Sequence, residues 1–559
     1  MKLTNTSFIT ICLLVCITTI SCKRTYNSDL DSLNLIKGDI LLCGGGDFGD
    51  VSFALSCSYE TRSNFNLAIS LLHSFEYEEA EKAFAKVIDI DPNCAMAYWG
   101  VAMCNFHALW RPPTKVDLKK GSLAIKIARS LEDKTEREVK YIEAIAHFYT
   151  DWETVDHQTR IKRFENAMET IYNSFPDDKE AAIFYALALN SGADLSDKTY
   201  ANRRRAGAIL EKLFPDQPNH PGITHYIIHS YDYPELAKMA LSPARRYASI
   251  APASSHAQHM PSHIFTRLGL WEESIQSNLS ATSSAQCYAE QVEMEGHWDE
   301  EIHGTDYLVY AYLQLGKIQE AKNLLDYLVS IDKINPIGVK GAYPSAAIPS
   351  RFYLETRDWE KASNLTMPTN DYPSQKFPWA NAIIHYTRVL GAVNINNLDL
   401  AHTAFKKLNF CHDILIKNGN EYMANQVLIM VKSADAWIHF NEGKNEEALA
   451  LMKESADIES KTEKQSLTPG EVLPSQELLG DLLLKLNKPT EALKAYALNL
   501  NIRPNRFNGL YGAAIAARLS GNKEKAKDYF NQLIELTKNS NSNRPELEDA
   551  KRFVNETSI

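Results

Sequence analysis

Residues 61–94 read TRSNFNLAISLLHSFEYEEAEKAFAKVIDIDPNC. Leu67, Ala68 and Leu71 recur at helical spacing and make one apolar face. Ala80, Phe84 and Val87 make a second face after a polar turn. Small residues allow two helices to approach closely, and the aromatic fills the space beside them. Pro92 ends the unit, because proline has no N–H to donate and its ring clashes with the preceding turn. The spacing predicts a helix–turn–helix unit of 34 residues.

The unit recurs. Gly480, Leu483, Ala492, Tyr496 and Pro504 hold the matching places in 473–506. Ala514, Ala517, Ala526 and Phe530 hold them in 507–540, a step of 34 residues further on. Weaker copies surround Ala401/Phe405 and Ala436/Ala448, and Leu308, Tyr312, Ala321 and Leu325 mark another at 302–335. Turn tokens LGK (315–317), EGK (442–444) and SGN (520–522) sit between paired helices, where glycine ends a helix at low cost. No strand-type alternation rises above this pattern. The period and its aromatic and small places resemble the tetratricopeptide repeat. The chain is expected to be all-α, a solenoid of about ten helix pairs with a concave groove. Prolines and glycines at 335–350 suggest a boundary, giving an N-terminal array over 61–345 and a C-terminal array over 346–559.

At 559 residues the chain is too long for one compact core, which suits an elongated array. Its net charge of −11 argues against a nucleic-acid partner, which calls for a basic patch. Lys2 followed by the short apolar stretch Phe8–Ile20 reads as an export signal rather than a membrane span. Thr19-Ile20-Ser21-Cys22 resembles a bacterial lipoprotein cleavage box. The expected processing removes residues 1–21 and attaches lipid at Cys22. Residues 22–60 then form a linker with a Gly-rich loop, CGGGDFGDVSFALSC, flanked by Cys43 and Cys57. A disulfide between those two is a candidate in an oxidising envelope compartment. Cys94 and Cys104 share one predicted helix, ten residues or about 15 Å apart, and cannot bridge each other. Cys287 and Cys411 have no evident partner. The stretch after Cys22, Lys-Arg-Thr-Tyr, carries no acidic export tag, so an outer-membrane anchor facing the periplasm is favoured.

Eight of the sixteen histidines fall between His220 and His303. His225/His229 and His259/His263 are each four apart and share a helix face. Repeat phasing places His225 and His229 fifth and ninth in one first helix. His256, His259 and His263 fall second, fifth and ninth in the next, and His303, Asp306 and Tyr310 hold those places in 302–335. In tetratricopeptide folds these places face the groove. Convergence of four imidazoles with a neighbouring carboxylate would suit zinc, copper or iron. The bland alternative is a set of polar groove residues bonded to nearby carbonyls. Pro261 interrupts the second helix and puts its phase in question. No HExxH occurs, and the Gly-rich loop lacks the Lys-Ser/Thr ending of a P-loop.

Four blocks, NLAISLLHSFEYEEAEKAF, DPNCAMAYWGVAMCNFHALW, NHPGITHYIIHSYDYPELA and APASSHAQHMPSHIFTRLGLWEESI, are similar to one family of bacterial envelope tetratricopeptide lipoproteins. The resemblance spans roughly 40–330 and implies fold rather than activity, so no catalytic residue is carried over. Three functions fit. The favoured one is a lipid-anchored scaffold that binds a protein or peptide in its groove. The second is a metal-binding protein or metalloenzyme built on the histidines. The third is an accessory lipoprotein of a nutrient (polysaccharide) acquisition system.

Overall fold

The computed structural model describes residues 31–43, 46–109, 112–194, 196–368, 373–464 and 466–557. Cys22 and the signal segment lie outside the described residues. Among the described residues the chain is a succession of antiparallel helix pairs. A two-stranded parallel ribbon, His297–Trp298 with Ile334–Asn335, is the one sheet among the described residues. No helix among these residues is long and apolar enough to cross a membrane.

The first repeat pairs Arg62–His73 with Tyr77–Ile90. Ala68, Ala80 and Phe84 are fully buried at their contact. Phe84 reaches into the next helix, Ala95–Cys104, at Gly100, where an added Cβ would lie 2.3 Å from the ring. Tyr496 meets Gly512 of the following helix, Phe507–Leu519, the same way near the C-terminus, at 2.4 Å. The aromatic place of the repeat therefore depends on a glycine in the facing helix, and this tiles one hairpin onto the next.

Residues 31–43 and 46–60 do not form a closed loop. They run as a strap across several helices, tied by Ile36 N to Glu81, Leu41 N to Glu79, Phe53 N to Asn66 and Ser56 N to Glu138. The strap holds Cys43 and Cys57 at separate places. Cys43 bonds Cys287, and Cys57 bonds Cys94, which stands at the start of the helix Ala95–Cys104. The expected Cys43–Cys57 bond is thus corrected, because the intervening segment is spread over the array by main-chain hydrogen bonds. The expectation that Cys94 cannot reach Cys104 stands: Cys104 is a buried free thiol.

The prolines and glycines of 335–350 fall largely within a helix. Val339–Glu355 is a single helix that includes Pro344 and Pro349. Nearly all of its residues from Gly341 onward are buried, and this burial outweighs the unfavourable propensity of proline.

The C-terminal repeats fold back onto the middle of the chain. Trp271 Nε1 donates to Asn505 O at 2.7 Å, and Phe507 N donates to Gln314 Oε1 at 2.9 Å. The linker between helices Asn445–Lys461 and Ser475–Lys485 crosses to the N-terminal repeats. Lys198 pairs with Glu463, Tyr307 donates to Thr468 O, and Arg351 donates to Gly470 O and Glu471 O. At the histidine-bearing repeats the groove is therefore covered by the chain's own linker.

Candidate metal centre

His225 and His229 stand one turn apart on the helix Pro221–Tyr231. His256 and His259 lie on Ser255–His259, which starts at Ser254, whose Oγ accepts from Ala257 N at 3.0 Å. Met260 keeps right-handed helical torsions (φ −53°, ψ −37°), and Pro261 is the first residue of the next turn, Pro261–Arg267. The first turn of a helix is where proline costs nothing. The axis runs on, and His263 stays on the face of His259.

The histidines gather in two sets of three. Nε2 of His225 lies 3.0 Å from Nε2 of His229 and 3.1 Å from Nε2 of His256. Nε2 of His259 lies 3.0 Å from Nε2 of His263, and the His303 ring centroid is 4.4 Å from that of His259. Within each set, one nitrogen per ring lies within 4.8 Å of the others. The expected single cluster of His225, His229, His259 and His263 is corrected to two triads, because each HxxxH pair recruits its third ring from the first helix of the following helix pair. Asp306 joins neither triad. It is fully buried and faces Arg351 at 3.5 Å, and burial pushes its carboxyl up to about 6 despite that guanidinium. Its place, one turn past His303, points to the helix Val339–Glu355 rather than to the histidines.

Hydrogen-bond acceptors fix the tautomers. His225 Nδ1 sits 2.6 Å from the carbonyl oxygen of His73, which can only accept. His259 Nδ1 sits 2.6 Å from Asn278 Oδ1, whose amide nitrogen already donates to Ser274 O. His263 Nδ1 sits 3.0 Å from Asp232 Oδ2. Each of these Nδ1 atoms therefore carries the proton, and each Nε2 presents a lone pair. Two lone pairs facing at 3.0 Å across His259 and His263 repel unless a cation lies between them. Ligand distances of about 2.05 Å would give that separation at an N–ion–N angle of about 95°. A ring N–H fixed by a carboxylate or carbonyl is the usual support of a metal-bound histidine.

Burial reinforces the neutral forms. It pushes His225 down to about 3, and drives His229, His256, His259 and His303 well below the ordinary range. His263 is lowered less, because Asp232 opposes its burial. Burial works to raise Asp232, but Lys464, Arg267 and His263 outweigh it and hold the carboxylate well below its usual range. Tyr247 covers His225 and Tyr307 covers His259, with ring centroids 5.1 and 4.7 Å apart. Of the six imidazoles, only His229 is partly exposed.

A third group, His73, Glu180 and His220, has similar proximity but different chemistry. Glu180 takes one hydrogen bond from each ring, at 3.0 and 2.9 Å, and Tyr226 OH lies 3.0 Å from the other nitrogen of His73. A carboxylate between two N–H donors is satisfied without an ion. The group braces the first triad through the carbonyl of His73. Sequence reasoning gave His73 no role, and it passed over Glu180, Asp232 and Asn278 as orienting groups. Asp232 could have been found, since it stands in the same block as His225 and His229 (HYIIHSYD). Glu300 bonds Lys340, and Glu301 bonds Tyr327 and His297. His107 pairs with Asp117 at 3.7 Å.

No curated protein matches the chain. Among solved structures, yeast Tom70 is similar at 11% identity over 89% of this chain and 96% of that one, with a TM-score of 0.33. The human IFIT1 dimer with m7Gppp-AAAA is similar at 11% identity over 83% and 94%, with a TM-score of 0.32. Similarity this distant carries nothing about ligand or partner. Tetratricopeptide-repeat family models match residues 61–94 and 478–541. The chain is an all-α solenoid with tetratricopeptide repeats near both ends.

Proposed function

We propose that this protein binds transition-metal ions, one in His225/His229/His256 and one in His259/His263/His303. The observation that carries the reading is the pair of Nε2 lone pairs held face to face at 3.0 Å by Asn278 and Asp232. Zinc, copper and iron all suit imidazole donors. Untagged protein is expected to carry about one ion per triad, and a His225→Ala/His259→Ala variant of unchanged helicity to carry none. Metal content below about a tenth of an equivalent after metal-supplemented expression would sink the reading.

The repeats supply the scaffold for these sites, and tetratricopeptide arrays commonly present a protein-binding surface. A protein or peptide partner would dock away from the histidines, because the chain's own linker covers the groove there. We also propose a lipid anchor at Cys22 that holds the chain at the envelope, on the outer membrane facing the periplasm. The disulfides Cys43–Cys287 and Cys57–Cys94 support an oxidising compartment. Palmitate labelling should be lost in Cys22→Ser, and labelling that survives this change would remove the anchor.

A further inference from the structure

We infer that the cleft between the Gly-rich strap and the turn before the helix Pro221–Tyr231 binds a small organic ammonium ion, an alkylamine. The cleft lies apart from the triads, and the inference does not depend on the metal reading.

Three segments enclose it. Strap residues 46–52 form one side, the helix Arg62–His73 a second, and the turn 216–220 the third. Asp50 N donates to Asn219 O at 3.0 Å and joins strap to turn. Gly49 permits this close approach: its φ is +81°, and an added Cβ would lie 2.7 Å from Asn219 O. The Gly-rich motif, which is no P-loop, thus shapes a cleft of about 470 Å³, within the range of small-molecule sites.

Two buried polar atoms of the lining have no hydrogen-bond partner, His220 Nδ1 and Gln217 Oε1. His220 is 1% exposed. Its Nε2 gives its hydrogen to Glu180 Oε1 at 2.9 Å. Nδ1, the nitrogen on the main-chain side of the ring, is therefore left as an acceptor. A buried acceptor without a donor is unfavourable, and a ligand N–H would relieve it.

The charge of the lining selects the ligand. Asp47, Asp50 and Asp216 share the cleft with these two atoms. Asp47 Oδ1 accepts from Gly49 N at 3.1 Å, and Asp50 Oδ2 accepts from Asn219 Nδ2 at 3.3 Å. Each carboxylate keeps a second oxygen for a ligand. Among the described residues no lysine or arginine lines the cleft; Arg246 comes as near as Asn219 Oδ1, at 3.2 Å. The ligand must therefore supply both the donors and the positive charge. An ammonium group has three N–H donors and can serve imidazole nitrogen, amide oxygen and carboxylate together. Val51 and Leu67, both half-buried in the lining, offer an apolar wall to a methylene chain. A calcium ion takes oxygen ligands and would use neither the imidazole nor that wall.

The test titrates 1,4-diaminobutane into the full-length chain by isothermal titration calorimetry. 1,4-Butanediol, of equal length and uncharged, and calcium chloride are titrated in parallel. The expected result is one saturable site for the diamine, weakened by added salt, with the diol at least about ten-fold weaker. Asp47→Asn/Asp50→Asn should weaken the diamine about five-fold, and Gln217→Met about three-fold. Ser52→Trp fills the cleft, removes none of these acceptors and should abolish binding. The His225→Ala/His259→Ala chain should bind the diamine as before, and loss of binding there would move the diamine to the triads and overturn the proposal. Absence of saturable binding, or an affinity that none of the cleft variants alters, would also overturn it. A diol that binds as well as the diamine would overturn the ammonium assignment. So would calcium that displaces the diamine and depends on the same two carboxylates.

Discussion

Asp232→Asn is expected to weaken metal binding at His259/His263/His303 by about 10–100-fold and to leave the other triad unchanged. Asp232 accepts from His263 Nδ1 at 3.0 Å and from Arg267 Nε at 2.8 Å. The amide keeps the shape but has one acceptor oxygen where the carboxylate has two. Either His263 loses the acceptor that fixes its tautomer, or Arg267 loses its partner. The substitution also removes the anion that offsets Lys464 and Arg267, so the field at the ion becomes more positive. Competition titration of the variant against the unaltered chain measures the change. Equal affinities would show that Asp232 serves Arg267 and Lys464 alone.

Arg506→Met is expected to destabilise the fold by about 3–5 kcal/mol. The guanidinium is fully buried and donates to Glu355 Oε1 at 2.6 Å, Glu477 Oε2 at 2.9 Å and Tyr310 OH at 2.7 Å. Methionine fills most of the space but leaves two carboxylates facing each other in a dry interior. Burial already raises the Glu477 carboxyl, and Arg506 opposes that rise. Without Arg506 the folded-state value climbs further above the unfolded one. A carboxyl raised on folding contributes stability below its unfolded value and loses it as pH rises. The deficit should therefore be larger at pH 8 than at pH 5 in urea unfolding followed by circular dichroism. Adding Glu355→Gln and Glu477→Gln should recover much of the loss at pH 8. A deficit independent of pH would assign the cost to packing instead.

Arg506 also bears on the centre. It fastens the C-terminal hairpins to the helices Asp299–Gln314 and Val339–Glu355, the first of which carries His303. The linker above the histidines leads into the helix that holds Glu477. Stability at the fold-back contact and closure over the triads are thus parts of one packing arrangement.

Much of this was legible in the chain itself. Residues 61–94 and 473–540 carry the repeat because helix pairing imposes small and aromatic residues at fixed spacing, and that pattern is local. The helical phase of His225/His229 and His259/His263 is local too: four residues make one turn, and a proline at the first position of a turn does not break it. The tally of three rings per triad was not local. His256 and His303 reach their partners from neighbouring helices, and the proton-fixing acceptors His73 O, Asn278 and Asp232 come from three different elements.

The sequence by itself determined an all-α repeat array and a dense set of imidazoles in its middle repeats, because both follow from spacing along the chain. Tertiary structure decided what distance in sequence conceals. It split the histidines into two triads, turned Asp306 toward Arg351, and drew Cys43 to Cys287 and Cys57 to Cys94. It also laid the linker residues 462–464 and 466–474 over the groove. The physical reason is common to all four. Helix phase fixes which way a side chain points, but only the packing of one helix on another fixes what it meets, and here that meeting sets the proton positions and charge pairing on which the metal reading rests.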